Sequence, residues 1–268
     1  MADLEALQRH LLGMGRVLLG YSGGVDSALL AVAGVRALGS ERFLAVIGRS
    51  PSYPEAQWRV AAELAGRFGV PLLELGTREL EDPRYLRNAP DRCYFCKTEL
   101  WSRLSLLAAE RGFDTVIDGT NADDLGEHRP GLRAGRERAI RSPLAELGWT
   151  KADVRRASLA LELPTWDAPA APCLSSRIRY GLAVTAERLR QVEQGEAWLR
   201  ALGVRGDLRV RHHGELARVE VAADEMSRLR TSWAQVERRF AELGFARVEL
   251  DPEGYRRGGL LRLAADPV

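Results

Sequence analysis

Apolar residues follow two rhythms along this chain. Short runs rich in leucine and β-branched residues lie at Val17 to Gly20, Phe43 to Ile47, Val70 to Leu75 and Thr115 to Ile117, the length of buried parallel strands. Between them, Ala28 to Leu38, Glu55 to Phe68 and Thr98 to Arg111 space their apolar residues by three and four, as helices do, and Gly39, Gly69 and Gly112 stand where helices end. These repeated strand-helix units predict an α/β fold on a doubly wound parallel sheet with helices on both faces. Past about residue 143 the rhythm changes. A helix over Lys151 to Leu161 gives way to LPTWDAPAAPCLSSRIRYG, a proline-rich loop longer than a plain connector needs. A helix over Thr185 to Leu202, alternating segments at Leu208 to His212 and Ala217 to Val221, a helix from Asp224 to Leu243 and a strand at Ala246 to Leu250 then predict a smaller C-terminal α+β domain. The expected division is a first domain over 1–165, a cysteine-bearing loop over 166–183 and the small domain over 184–268.

Composition narrows the class. A chain of 268 residues with 46% hydrophobic content, and no unbroken apolar run of about 18, reads as a soluble globular protein that does not span a membrane. Asp3 and Glu5 lie where a signal peptide carries only basic charge, so a cytoplasmic location is expected. The 39 basic and 37 acidic side chains nearly cancel, and arginine is scattered rather than gathered into a stripe, which argues against a nucleic-acid partner and for small anionic ligands. Lys97 and Lys151 are the only lysines, a bias of composition.

Chemistry enters at Tyr21 to Ser27, which reads YSGGVDS between a strand and a helix. That places the segment at the carboxyl end of the first strand, where open α/β sheets bind ligands. Gly23 and Gly24 let the backbone approach phosphate oxygens, Ser22 and Ser27 add hydroxyls, and the helix N-terminus adds N–H groups and its positive dipole end. A kinase-type GxxxxGK[ST] loop is absent. SGGVDS resembles the signature of the PP-loop ATP pyrophosphatases, which split ATP between the α and β phosphates and leave AMP on an acceptor oxygen. Asp118, Asn121 and Asp123 in DGTNADD follow a strand and suit adenine, ribose or magnesium, or else an ordinary strand-end turn. Asp26 suits the phosphates or their Mg2+, and Trp101 suits packing of its helix ahead of lining the pocket.

Cys93 and Cys96 form a CxxC pair, and Cys173 lies in the proline-rich loop. An odd cysteine count without an export signal speaks against a disulfide framework. Three thiolates with no neighbouring histidine make an incomplete zinc shell, whereas a 4Fe-4S cluster held by three cysteines keeps one iron open. A thioredoxin-like dithiol and inert buried thiols are the other readings. Arg209, Arg211, Arg218 and Glu220 lie on the two alternating segments, with Arg209 and Arg211 on one strand face, where they suit phosphate and carboxylate groups or form a solvated arginine face.

In order and spacing, SGGVDS, DRCYFCKTELW, DGTNADD, HRPGLRAGRE, SPLAELGWTK, PTWDAPAAPCLSSRIRYG, RVRHHGELARVEV and LDPEGYRRGGL resemble the LarE family from end to end. The resemblance implies an adenine nucleotide alpha hydrolase-like fold. It also implies an ATP-dependent sulfur transferase that adenylates each carboxylate of pyridinium-3,5-biscarboxylic acid mononucleotide and replaces AMP with sulfur. That activity gives thiocarboxylates on the way to the nickel-pincer nucleotide cofactor of lactate racemase and related enzymes. Family members with only the counterpart of Cys173 sacrifice that sulfur; those with the CxxC pair as well are associated with a 4Fe-4S cluster, so Cys93, Cys96 and Cys173 are expected as cluster ligands. By the same resemblance Cys173, Asp26, Ser176, Arg177 and Glu220 are expected in catalysis. Ser22, Gly23, Gly24, Asp26, Ser27, Asn121 and Asp123 are expected to hold ATP with Mg2+, and Arg209, Arg211 and Arg218 to hold the pyridinium mononucleotide. Sulfide or a cysteine desulfurase as sulfur source and a homo-oligomer complete the expectation. Arg179 stands where the family often has proline, and Gly126-Glu127-His128 where an acidic-aromatic pair is usual. A PP-loop tRNA thiolase, an amide-forming synthetase and a non-catalytic cluster or zinc carrier are the competing readings.

Overall fold

The computed structural model describes residues 3–126 and 130–256. In chain order the elements are α1 (Leu4–Leu12), β1 (Val17–Gly20), α2 (Val25–Leu38), β2 (Phe43–Arg49), α3 (Glu55–Arg67), β3 (Leu72–Gly76), α4 (Pro83–Leu86), α5 (Arg92–Arg111), β4 (Thr115–Ile117), α6 (Pro130–Arg136), α7 (Pro143–Glu146) and α8 (Lys151–Ala160). They continue with α9 (Ala186–Ala201), β5 (Leu208–His213), β6 (Leu216–Val221), α10 (Ala223–Thr231), α11 (Trp233–Glu242) and β7 (Arg247–Leu250). His128 and the last four residues of LDPEGYRRGGL lie outside the described residues. The chain divides into two compact units, Met1–Glu79 with Cys93–Ala171, and Leu80–Arg92 with Pro172–Val268.

The first unit holds a four-stranded sheet in the order β3-β2-β1-β4, every pairing parallel. Both sheet faces are apolar, as the unbroken strand runs require. Val17, Leu19, Phe43, Ala45 and Ile47 pack in one core with residues of α1, α2, α3 and α8, whereas Leu18, Leu44 and Val46 pack in another with Trp101, Leu104 and Ala134 of α5 and α6. Full burial of a leucine such as Leu29 or Leu30 contributes roughly 2 kcal/mol. Trp101 is 3% exposed and belongs to this packing, as its sequence context suggested. From β1 the chain moves outward to β2 and β3, then returns to the far side of β1 for β4. That reversal creates a crevice at the carboxyl ends of β1 and β4.

The second unit pairs β5 with β6 antiparallel and β6 with β7 parallel, over a core of Leu199, Val210, Val219, Val236 and Phe240. The helix expected over Asp224 to Leu243 is broken in two at Ser232. Thr231 explains the break, since its hydroxyl donates to Arg228 O at 2.7 Å, competing with the backbone ladder. The segment Leu80–Arg92 folds into this unit through Asn88. Its backbone is left-handed at φ 54°, and its Nδ2 donates to Ile178 O, Arg179 O and Leu182 O at 3.2, 2.8 and 2.9 Å.

Candidate active site

The SGGVDS loop joins β1 to α2 in the first unit. Gly24 is the N-cap of α2 and no side chain bonds across that cap, so the first-turn N–H groups face outward as donors. Gly23 adopts φ 70°, and a Cβ there would lie 2.6 Å from Ala61 Cβ, so both conformation and space demand glycine. Ser27 Oγ organises the turn. It donates to Gly24 O at 3.1 Å, accepts from Ser22 N at 3.2 Å and lies 3.1 Å from Ser22 Oγ. Backbone N–H groups, two hydroxyls and a helix dipole meet in one concave turn, an arrangement that binds oxyanions.

Asp26, in the first turn of α2, is the centre of a polar cluster across the crevice. Its Oδ1 accepts from Asn121 Nδ2 at 3.1 Å, and its Oδ2 is paired with Lys151 Nζ. Asn121 follows β4 and in turn accepts from Asp123 N at 3.0 Å through Oδ1. Asp123 Oδ2 accepts from Lys151 N at 2.8 Å. A Thr150–Asp153 capping box starts α8 and fixes Lys151 at its first position. Asp118 is taken up by a strand-end turn, accepting from Thr120 N at 3.0 Å and Ser142 Oγ at 2.7 Å. Asp26, Asn121 and Asp123 are marked by the SGGVDS and DGTNADD motifs, whereas Lys151 lies outside both, its rarity in an arginine-rich chain being the available signal.

In the second unit, the register aligns Arg209 with Glu220 and Arg211 with Arg218, putting all four on one sheet face. Arg211 and Glu220 are both buried and form a bidentate pair, Nε to Oε1 at 3.0 Å and Nη2 to Oε2 at 2.8 Å. Arg209 is buried beside Tyr255, its carbon Cζ 5.1 Å from the ring centre. Burial first, and Arg177 next, lower the Arg209 pKa, the signature of a cation crowded by cations. Arg218 sits at the rim, 3.9 Å from Glu249. Arg177 makes a bidentate pair with Glu196 at 2.9 and 3.1 Å, a partner 19 residues away that no motif marks.

Cys173 precedes a short 3-10 turn, Leu174–Arg177. Its carbonyl oxygen accepts from Ser176 N at 3.0 Å, Ser176 Oγ at 2.7 Å and Arg177 Nη1 at 3.1 Å. Arg211 Nη1 donates to Ser176 O at 3.0 Å, Tyr85 OH lies 2.5 Å from Ser175 Oγ, and Arg92 Nη1 donates to Ser175 O at 2.8 Å. Ser176 and Arg177 therefore act on the backbone of the cysteine segment. Cys93 and Cys96 fall among the opening residues of α5, which begins six residues earlier than the apolar spacing implied. Three residues apart on a helix, their side chains share a face. None of the three cysteines is in a disulfide. Among the described residues of either unit, no three His, Cys, Asp or Glu side chains gather as a metal site.

A parallel sheet with an oxyanion loop at its switch point defines a PP-loop nucleotide enzyme. The NAD synthase family model matches residues 7–82, which contain that loop. The chain is 34% identical to the pyridinium-3,5-bisthiocarboxylic acid mononucleotide synthase of Lactiplantibacillus plantarum, over 91% of this chain and 88% of that protein. An uncharacterised Synechocystis protein is 42% identical over 98% of both chains, and an uncharacterised Methanocaldococcus jannaschii protein 32% identical over 90% and 91%. The chain belongs to the LarE family of PP-loop enzymes. Among the described residues, no helix is long and apolar enough to cross a membrane.

Proposed function

We propose that this enzyme adenylates the carboxylates of pyridinium-3,5-biscarboxylic acid mononucleotide with ATP and converts them to thiocarboxylates, a step of nickel-pincer nucleotide synthesis. The observation that carries the reading is the Asp26–Asn121–Lys151 cluster at the mouth of the SGGVDS loop, in a chain matching the Lactiplantibacillus synthase almost throughout. A carboxylate resists attack by a sulfur nucleophile until one oxygen becomes a leaving group, and transfer of AMP to that oxygen supplies the activation. Loop N–H groups, Ser22 and Ser27 hold the departing pyrophosphate. Asp26 accepts Mg2+, a hard cation that favours carboxylate oxygen. Lys151, on a long and partly exposed side chain, exchanges Asp26 for phosphate oxygens. Arg209, Arg211 and Arg218 bind the phosphate and carboxylates of the mononucleotide, and Glu220 orients Arg211. Ser176 and Arg177 fix Cys173.

The donor set suits a cluster, for Cys93, Cys96 and Cys173 are three thiols, two of them on one helical face. When bound, a 4Fe-4S cluster on three thiolates supplies an open iron able to carry sulfide. The test is anaerobic reconstitution with iron and sulfide, then assay with ATP and the pyridinium substrate. Pyrophosphate, AMP and thiocarboxylate should form over repeated turnovers, with about four irons per chain, lost in Cys93→Ala. Stoichiometric conversion of Cys173 to dehydroalanine would replace the cluster with a sacrificial route. The NAD synthase match keeps an amide-forming synthetase in view, and ammonia-dependent AMP release indifferent to Cys173 would favour it.

A further inference from the structure

Two side chains converge on one atom of the loop. Tyr53, two residues ahead of α3, donates its hydroxyl to Ser22 O at 3.0 Å. Gln57, in the first turn of α3, donates its Nε2 to the same oxygen at 2.6 Å. Because the peptide unit is planar and trans, holding the Ser22 carbonyl toward α3 turns the Gly23 N–H the opposite way. The α3 side is filled, since Gly23 already packs against Ala61. A peptide beside glycine reorients readily, glycine accepting either sign of φ. Reorientation here would present a carbonyl oxygen, rather than an N–H, to an arriving oxyanion.

We propose that Tyr53 and Gln57 are positioning residues that lock the Ser22–Gly23 peptide with its N–H turned toward the pyrophosphate of ATP. The inference rests on the loop being the phosphate site. Gln57 is poorly explained as a residue kept for stability. Its Oε1 is buried with no hydrogen-bond partner among the described residues, which costs folding free energy. Tyr53 remains a donor throughout the physiological range, burial pushing its phenol up to about 12.

The experiment compares the wild-type enzyme with Tyr53→Phe and Gln57→Met, each removing one donor at nearly constant volume. KM for ATP and the inhibition constant of pyrophosphate should both rise roughly tenfold, the loss of one hydrogen bond to a charged partner's site. Adenosine binding should stay at the wild-type value, and the melting temperature of Gln57→Met should be unchanged or raised. Gln57→Glu, which faces Ser22 O with a carboxylate, should be worse than Gln57→Met. Wild-type ATP and pyrophosphate constants in both variants would overturn the inference, as would an equal loss of adenosine affinity or a matching fall in melting temperature. A wild-type enzyme that binds no pyrophosphate would instead remove the phosphate-site reading itself, and the inference with it.

Discussion

Lys151, the first residue of α8, is ion-paired with Asp26 in the first turn of α2, so two elements far apart in sequence share a charge at the phosphate loop. The pair is partly exposed, with 39% of the lysine and 19% of the aspartate side chain accessible, and such pairs contribute only about 0–1 kcal/mol to stability. Lys151→Met should therefore melt near the wild-type temperature while ATP-dependent pyrophosphate release falls tenfold or more, on the order expected for a lost charged phosphate contact. Lys151→Arg should not restore activity, because a planar fork cannot replace a compact ammonium. A variant with full activity would show that Lys151 serves only α8.

Gly23 and Gly24 should part company on substitution. Gly23→Ala meets both a positive φ and the Ala61 Cβ at 2.6 Å, so it should destabilise the fold by roughly 1–3 kcal/mol. Gly24 has φ −73°, and its nearest neighbour to an added Cβ is Ser22 Oγ at 3.5 Å, so Gly24→Ala should fold normally. Its methyl would instead crowd the approach of phosphate. Thermal melts alongside ATP binding separate the two: stability falls in the first variant, affinity alone in the second.

The Arg211–Glu220 pair is buried on both sides, with 7% and 6% of the side chains accessible. Glu220→Ala leaves a guanidinium buried without its counter-charge, and urea unfolding should show a loss of about 3–5 kcal/mol. Glu220→Gln, which keeps one acceptor, should cost less. Arg218→Ala, at the rim and 3.9 Å from Glu249, should change stability by less than about 1 kcal/mol while raising KM for the mononucleotide. Equal losses in Glu220→Ala and Arg218→Ala would contradict the burial difference.

His212 couples folding to pH. Its Nε2 lies 2.9 Å from Gln191 Oε1 and its Nδ1 accepts from Gly214 N at 3.2 Å, so the folded ring is neutral with its proton on Nε2. Burial first, then Arg188 and His213, lower its pKa from 6.5 to about 4. The unfolded chain takes up this proton near the ordinary value, the folded chain only near the lowered one. The stabilisation from a neutral His212 is thus complete above pH 6.5, declines as the pH falls, and is gone below about 4. It amounts to something on the order of 3 kcal/mol. His213, lowered in the same direction by burial and by Arg218, adds to the slope. The urea midpoint should fall between pH 7 and 4.5, and more shallowly in His212→Phe.

Legibility varied with the physics involved. Strands β1 and β4 match the apolar runs residue for residue, because a strand buried on both faces must be continuously apolar, and polar flanks then mark its ends. Helices α1, α4, α6 and α7 were not read from the sequence; the last three have four, seven and four residues, too few for a period to repeat. The break at Ser232 escaped because Thr231 competes with the backbone ladder through its hydroxyl rather than through apolar spacing.

By itself the sequence determined the α/β class, the SGGVDS turn after the first strand and the family, since these rest on local period, on glycines demanded by backbone conformation and on motif order. Only the tertiary structure decided that Lys151 reaches Asp26, that Tyr53 and Gln57 grip Ser22 O, and that Arg92 and Tyr85 secure Ser175. Each of these joins residues brought together by sheet order and helix packing, and no local pattern carries a distance between segments that only the packed core makes neighbours.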